Sequence, residues 1–254
     1  MVAALWVVVF ALMLPNNTFW LFVLCSFIGG LGVKSLNFAK KKFALSAAEL
    51  NAKDDRAPVI YLRSFNDDEQ FKSNNGSGLH FDNKQTFEQS LVTELRQYGP
   101  VYAIGRPGEP LPPLGAARMY VRETDWKNRV QQLIGTSRLI VVVLGKTEGL
   151  GWEISTISKL GIWDKTIIVF PPVGVADLQD RWAVLRKQLL EQQIEIPDET
   201  PSMALFGTRD SDGTLLLHES KKIKRKKKKA KYYWKTYREV LRKVLSSFNL
   251  SPNL

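Results

Sequence analysis

The stretch "LIVVVLGKTEGLGWEI", residues 139–154, joins an apolar strand to the start of a helix. Residues 139–144 are mostly β-branched, which is typical of a strand covered on both faces. A glycine-rich turn follows, and then Trp152 and Glu153 open a predicted helix. Ligands of open α/β sheets bind outside the carboxyl ends of the strands. The stretch is therefore either a helix start or half of an active site.

From residue 57 onward, apolar segments alternate with segments of helical periodicity. Further strands are predicted at residues 57–65, 100–105 and 165–172, and a hairpin at residues 203–207 and 213–218. Helices are predicted at residues 84–99, 125–137, 152–162, 177–193 and 231–248. This alternation indicates an α/β fold, flavodoxin-like, with an open parallel sheet of about five strands and helices on both faces. The strand order 2-1-3-4-5 would place a switch point between the first and third strands.

The N-terminal residues are apolar and uncharged. Residues 2–15 and 19–33 carry no charge and are separated by the turn sequence "PNNT". Each run is shorter than the roughly 20 residues that span a bilayer, so residues 1–33 form either a transmembrane hairpin or one interrupted span. Lysines from Lys34 onward predict that the following chain is cytoplasmic. Residues 34–56 read as a basic juxtamembrane linker helix, which leads to an α/β domain at residues 57–220.

The positive charge is concentrated near the C-terminus. Residues 221–231, "KKIKRKKKKAK", hold nine of the 36 Lys and Arg and no acid, so the net charge of +11 falls to 11 − 9 = +2 without them. The run, with the amphipathic helix that completes residues 221–254, is either a solvated segment or a contact for anionic lipid. Nucleic acid is disfavoured as a partner because the run lacks base-stacking aromatics.

Few side chains are available to hold a metal. The chain has one cysteine, Cys25, and two histidines. An internal disulfide and a thiolate metal site are therefore excluded, and no metal is predicted.

Polar side chains follow three strands at the predicted switch point. The candidate binding residues are Arg63, Ser64, Asp67, Arg106, Arg118, Lys146 and Trp152, and the candidate catalytic carboxylate is Glu153. The cations could hold phosphates and the tryptophan could stack on a ring. The alternatives are that Glu153 only opposes a helix dipole, that Trp152 packs in the core and that Asp67 is a turn residue. Arg63 ends an apolar strand, where an unpaired charge is costly, so it should pair with Asp67, Glu153 or a ligand.

Three segments resemble the boxes of Toll/interleukin-1 receptor (TIR) domains. "VIYLRSFNDDE" is similar to the first box, "GRPGEPLPPLGAAR" to the second, and "SRLIVVVLGKTEGLGWE" to the fourth strand with its helix. The resemblance covers residues 57–172 and extends to bacterial TIR-like proteins anchored in a membrane. In the catalytic pattern the tryptophan precedes the glutamate by several residues, whereas Trp152 and Glu153 are adjacent.

The resemblance implies one of two functions. Enzymes of the family cleave NAD+ at the nicotinamide–ribose bond, which would make NAD+ the substrate, Glu153 the catalytic residue and Arg63, Ser64 and Trp152 binding residues. Such domains act in defence or stress signalling after self-association. The alternative is a non-catalytic interaction module at the membrane, which would dock through residues 106–118.

Overall fold

The computed structural model describes residues 47–64, 86–105, 115–122, 124–194, 196–210, 212–225, 230–231 and 234–248. All of them belong to one compact unit. The helices are α1 (Ala47–Lys53), α2 (Phe87–Leu95), α3 (Trp126–Thr136), α4 (Glu148–Leu160), α5 (Val175–Glu191) and α6 (Trp234–Ser247). The strands are β1 (Val59–Leu62), β2 (Val101–Ile104), β3 (Ala117–Met119), β4 (Leu139–Val143), β5 (Thr166–Val169), β6 (Ala204–Arg209), β7 (Leu215–Glu219), β8 (Lys224–Arg225) and β9 (Ala230–Lys231).

A mixed seven-stranded sheet organises this unit, in the order β3-β2-β1-β4-β5-β6-β7. The five strands from β3 to β5 in that order pair in parallel. Val59 pairs with Leu139 and Leu62 with Val142, so β1 and β4 end side by side. The chain runs from β1 outward to β3 and then returns to the other side of β1 as β4. The point where the strand order reverses therefore lies between β1 and β4.

Alternate side chains of the parallel strands point to opposite faces of the sheet, and each face carries its own core. On one face Ile60, Ile140 and Ile168 pack with the apolar residues of α3, α4 and α5. On the other face Val59 and Val141 pack with α2 and α6. Helices thus cover both faces, and the α/β class is confirmed.

The sheet differs from the prediction at both ends. The hairpin predicted at residues 203–207 and 213–218 is present as β6 and β7, but β6 is antiparallel to β5. The twelve residues 192–203 lie between α5 and β6. This length is sufficient for the chain to return to the carboxyl edge of β5 before β6 begins. At the other edge, β3 was not predicted. Its three residues lie in a segment whose prolines and glycines are typical of a loop.

The helix after β4 begins earlier than predicted. Thr147 is its N-cap in an extended conformation, and Glu148 is already helical. The two glycines of "TEGLGWE" lie inside the first two turns of α4. Glu153 is therefore the sixth helical residue, and the alternative that it opposes the helix dipole from the first turn is wrong.

The predicted membrane segment, residues 1–33, lies outside the described residues, as does the linker before α1. Among the helices that the structure describes, none combines the length and apolar character needed to cross a bilayer.

Candidate functional site

The reversal point between β1 and β4 brings buried charged side chains together. Arg63 and Ser64 directly follow β1, and both are buried. Glu153 lies on α4, the helix that follows β4, and is buried as well. The positive charge of Arg63 lowers the pKa of the Glu153 carboxyl. Two buried charged residues from separate segments therefore follow the two strands that flank the reversal point.

Glu153 has the properties of an uncompensated buried carboxyl. Its Oε2 atom is buried without a hydrogen-bond partner among the described residues. Burial raises the pKa of Glu153 from 4.5 to about 8, and the positive charge of Arg63 opposes this rise only in part. Removing a carboxylate from water without full compensation favours its neutral form. A carboxyl group with a strongly raised pKa at a switch point is typical of a functional site.

Arg63 has a buried partner that the sequence analysis did not identify, Glu88 of α2. The Arg63 Nε atom lies 3.2 Å from Glu88 Oε2, and Arg63 Nη1 donates to the carbonyl of Ile104 at the end of β2. Arg63 was predicted to pair with Asp67, Glu153 or a ligand, and Glu88 was not among these candidates. The acid in salt-bridge range of Arg63 is Glu88, whereas the positive charge of Arg63 lowers the pKa of Glu153 and Asp67 lies outside the described residues.

Glu88 has partners on both of its carboxylate oxygens. Arg118 of β3 binds it as a fork, with Nη1 2.7 Å from Oε1 and Nη2 3.0 Å from Oε2. The backbone N–H of Ala116 donates to Oε1 at 3.1 Å. Glu88 and Arg118 are both buried, so they form a charge-assisted bidentate pair of the strong kind. Arg118 was predicted in a loop that binds phosphate, but the structure places it on a strand against this carboxylate.

Gly115 permits the close approach of Glu88 to the chain before β3. A Cβ atom at position 115 would lie 2.4 Å from Glu88 Oε1, which is closer than atoms can pack, and the backbone there has φ of +150°. Arg96 also donates to the Gly115 carbonyl at 3.0 Å. Glu88 of α2 and Arg96, which directly follows α2, thus both hold the segment that carries Arg118.

Trp152 points away from Glu153, because adjacent helical residues differ in direction by about 100°. Its ring meets Trp126 of α3 edge-on at a centroid distance of 5.0 Å, and Lys127 Nζ lies 5.6 Å from the ring centroid. Trp152 is partly buried against the core. The alternative that Trp152 packs in the core is the one that the structure favours.

Lys146 is directed at α5 and not toward Arg63. Its Nζ atom lies 2.5 Å from Asp177 and 3.0 Å from Asp180, and the hydrogen bonds to these two carboxylates raise the pKa of Lys146. Next to it, the buried Arg181 donates from Nη1 to the carbonyl of Leu144 at 2.7 Å. This group of charges joins the end of β4 to α5.

The basic run at residues 221–231 is anchored by one of its members. Arg225 donates to the carbonyls of Pro171, Val173, Ser202 and Ala204. Pro171 and Val173 follow β5, so β8 starts at the carboxyl edge of the parallel strands. Lys221 and Lys222 are exposed. The run is therefore attached to the edge of the sheet that also carries Arg63.

The structure joins Arg63 and Arg118 through Glu88, buries Ser64 after β1 and Glu153 on α4, and directs Trp152 and Lys146 to other helices. The predicted residues Asp67 and Arg106 lie outside the described residues. Glu88 could have been found from its spacing, because it shares a helical face with Leu91, Val92 and Leu95, which are all buried. A carboxylate on the apolar face of a helix requires a buried cation, and Arg63 at the end of a buried strand has the same need.

Among the residues that the structure describes, no group of three or more His, Cys, Asp or Glu side chains could hold a metal ion. No family model, curated protein or solved structure matches the chain.

Proposed function

We propose that the chain is a membrane-tethered, cytoplasmic TIR-like protein that binds NAD+ and hydrolyses its nicotinamide–ribose bond in defence or stress signalling. The observation that carries the proposal is the Glu153 carboxyl, which is buried at the reversal point with Oε2 unpartnered and its pKa raised to about 8. The resemblance of residues 57–172 to TIR domains, whose fold is flavodoxin-like, supports the choice of ligand. The strand order, with β1 between β2 and β4, is compatible with that fold.

The reaction needs negative charge next to a sugar carbon that becomes positive. The C1′–N bond breaks, its electron pair leaves with nicotinamide, and water adds to C1′ and releases a proton. A carboxylate beside the oxocarbenium-like transition state stabilises it, as in glycoside hydrolysis. Glu153 would supply that carboxylate, and Arg63, held beside it, would contribute to nucleotide binding together with Ser64.

The raised pKa of Glu153 favours a substrate that is itself cationic. In the empty site the carboxyl group is mostly neutral at pH 7, because its pKa is about 8. The pyridinium ring of NAD+ carries a positive charge, and an opposite charge within ~4–6 Å lowers a carboxyl pKa by about 1–3 units. Binding of NAD+ would therefore favour the ionised form of Glu153 in the complex in which the nicotinamide–ribose bond is cleaved. NADH, whose ring is neutral, would not do so.

The alternative function, a non-catalytic interaction module, would use residues 106–118 as a docking surface. Arg118 at the end of this segment is buried and holds Glu88. It is therefore a poor contact for a partner protein. Self-association is retained as the proposed trigger of hydrolysis.

Lipid contact by residues 221–231 is the remaining part of the proposal. Arg225 fixes the run to the carboxyl edge of the parallel strands. Each Lys or Arg near an anionic leaflet contributes on the order of 1 kcal/mol. Binding of residues 221–231 to the membrane would determine how the carboxyl edge of the parallel strands, which carries Arg63, is oriented relative to the membrane.

The test uses the purified full-length chain, clustered on beads through an affinity tag. Product analysis should detect nicotinamide and ADP-ribose from NAD+ and no cleavage of NADH. A chain carrying Glu191→Gln, which changes an exposed carboxylate on α5, serves as the control and should cleave NAD+ normally. Absence of nicotinamide from the clustered wild-type chain would refute the enzymatic proposal.

A further inference from the structure

We infer that Glu88 is a positioning residue, which holds the Arg63 guanidinium in place and so keeps the Glu153 carboxyl available for a ligand. The inference rests on the proposed function, in which Glu153 meets the substrate. It assigns a role to an α2 residue that lies far from Glu153 in the sequence. Glu88 would act through Arg63 without touching the substrate.

The two buried carboxyl groups, Glu88 and Glu153, have unequal numbers of partners. Glu88 accepts from the Arg118 fork and from the Ala116 amide, and its Oε2 atom also lies in salt-bridge range of Arg63 Nε at 3.2 Å. Glu153 Oε2 has none among the described residues. A carboxylate that is buried next to a guanidinium would normally form a bidentate pair with it. Here the guanidinium lies in salt-bridge range of Glu88.

Arg63 is held from two directions. Its Nε atom contacts Glu88 at 3.2 Å, and its Nη1 atom donates to the Ile104 carbonyl. Glu88 cannot move aside easily, because Gly115 and the Arg118 fork enclose it. The guanidinium therefore stays at the β1–β2 side of the site, and its effect on Glu153 is through charge.

Charged side chains on the helices beside α4 have partners of their own. On α3, Lys127 lies near the Trp152 ring and Arg129 contacts Gln132. On α5, Arg181 binds the Leu144 carbonyl and Asp177. Among the described residues, Arg63 is the cation whose charge lowers the pKa of Glu153.

One consequence can be measured without any enzymatic assay. If Glu88 and Arg118 are both made neutral, one buried acid and one buried base are lost together. Arg63 and Glu153 then remain as buried charges, and Arg63 no longer has the Glu88 carboxylate to draw it away from Glu153. An approach to hydrogen-bonding distance lowers a carboxyl pKa by about 1–3 units.

The experiment follows the Glu153 carboxyl resonance in the full-length chain labelled with 13C at the glutamate side-chain carboxyl, assigned by its absence in Glu153→Gln. In the Glu88→Gln/Arg118→Gln variant, Glu153 should titrate about 1–3 pH units lower than in wild type. The matched control is Glu94→Gln. Glu94 is also buried on α2 and binds Arg242 at 2.9 Å, so its removal should leave the Glu153 titration unchanged.

A second variant, Arg63→Gln, tests the inference whether or not the double variant folds. Arg63→Gln removes the charge that opposes the effect of burial, so Glu153 should titrate at a higher pH than in wild type. An unchanged titration in the folded double variant would overturn the inference. An unchanged titration in Arg63→Gln would overturn it as well.

Nicotinamide release from NAD+, measured on the same samples, separates this inference from the proposed function. In the double variant the acid limb of the kcat/KM profile should move to lower pH together with the Glu153 titration. A titration shift without any release from wild type contradicts the proposed function and leaves the role of Glu88 intact. Release from wild type without a titration shift in the variants contradicts the role of Glu88 and leaves the proposed function intact.

Discussion

The substitution Glu153→Gln should change how the stability of the protein depends on pH. The side chain keeps its shape, but the titrating group is lost. The folded-state pKa of about 8 lies above the ordinary value of 4.5, so the native state holds a proton that the unfolded chain releases. The stability contributed by this proton is fully present below pH 4.5, decreases as the pH rises toward 8, and is lost above it.

The magnitude follows from the displacement of the pKa. Each pH unit between the two pKa values corresponds to about 1.4 kcal/mol. Between pH 5 and pH 8 the wild-type protein should lose up to about 4 kcal/mol more than Glu153→Gln. Contact of the native Glu153 carboxylate with water would lower its folded-state pKa and so reduce this pH-dependent loss of stability.

Urea unfolding, followed by tryptophan fluorescence at several pH values, measures this difference. The quantity compared is the pH dependence, since the amide of glutamine has a cost of its own that does not vary with pH. Glu191→Gln on α5 replaces an exposed carboxylate and should follow the wild-type curve. A difference between wild type and Glu153→Gln that is constant from pH 5 to pH 8 would refute the interpretation of Glu153 as a buried group with a raised pKa.

Two further predictions concern the supports of the site. Gly115→Ala should destabilise the chain by about 1–3 kcal/mol, because the added Cβ would lie 2.4 Å from Glu88 Oε1 at φ +150°. Gly135→Ala, where nothing lies within 4 Å of the new Cβ, should be neutral or stabilising by up to about 1 kcal/mol in the same thermal unfolding experiment. Replacing the lysines of residues 221–231 with glutamine, while keeping Arg225, should abolish salt-sensitive binding to anionic vesicles without altering the circular dichroism. Equal binding of anionic vesicles by the wild-type chain and by the glutamine variant would contradict the proposed lipid contact.

The strands of the sheet interior were predictable from the sequence because burial on both faces leaves a simple signal. β1 and β4 are continuous apolar runs, and both are buried along their whole length. β3 gave no such signal, since its central residue is Arg118, which is stabilised by a carboxylate from a distant helix. The direction of β6 was not predictable either, because it depends on where the irregular residues 192–203 take the chain.

The candidate site was predictable in part for the same reason. Arg63 and Glu153 stand out as charges next to apolar segments, and both are buried at the reversal point. The partner of Arg63 could not be chosen from local sequence, because Glu88 and Arg63 are joined only when α2 packs on the sheet. Trp152 was assigned to the site from its place after the third predicted strand and from the TIR resemblance, whereas the helix directs its ring toward Trp126.

The central claim is that Glu153 is the carboxylate that drives cleavage of the nicotinamide–ribose bond. The most direct measurement is the ratio of initial rates of nicotinamide release from saturating NAD+ by the clustered full-length chain, wild type over Glu153→Gln. Wild type should release nicotinamide, and the folded variant should be slower by at least about 100-fold, as expected for the loss of a catalytic carboxylate. Equal rates for the two proteins would contradict this claim.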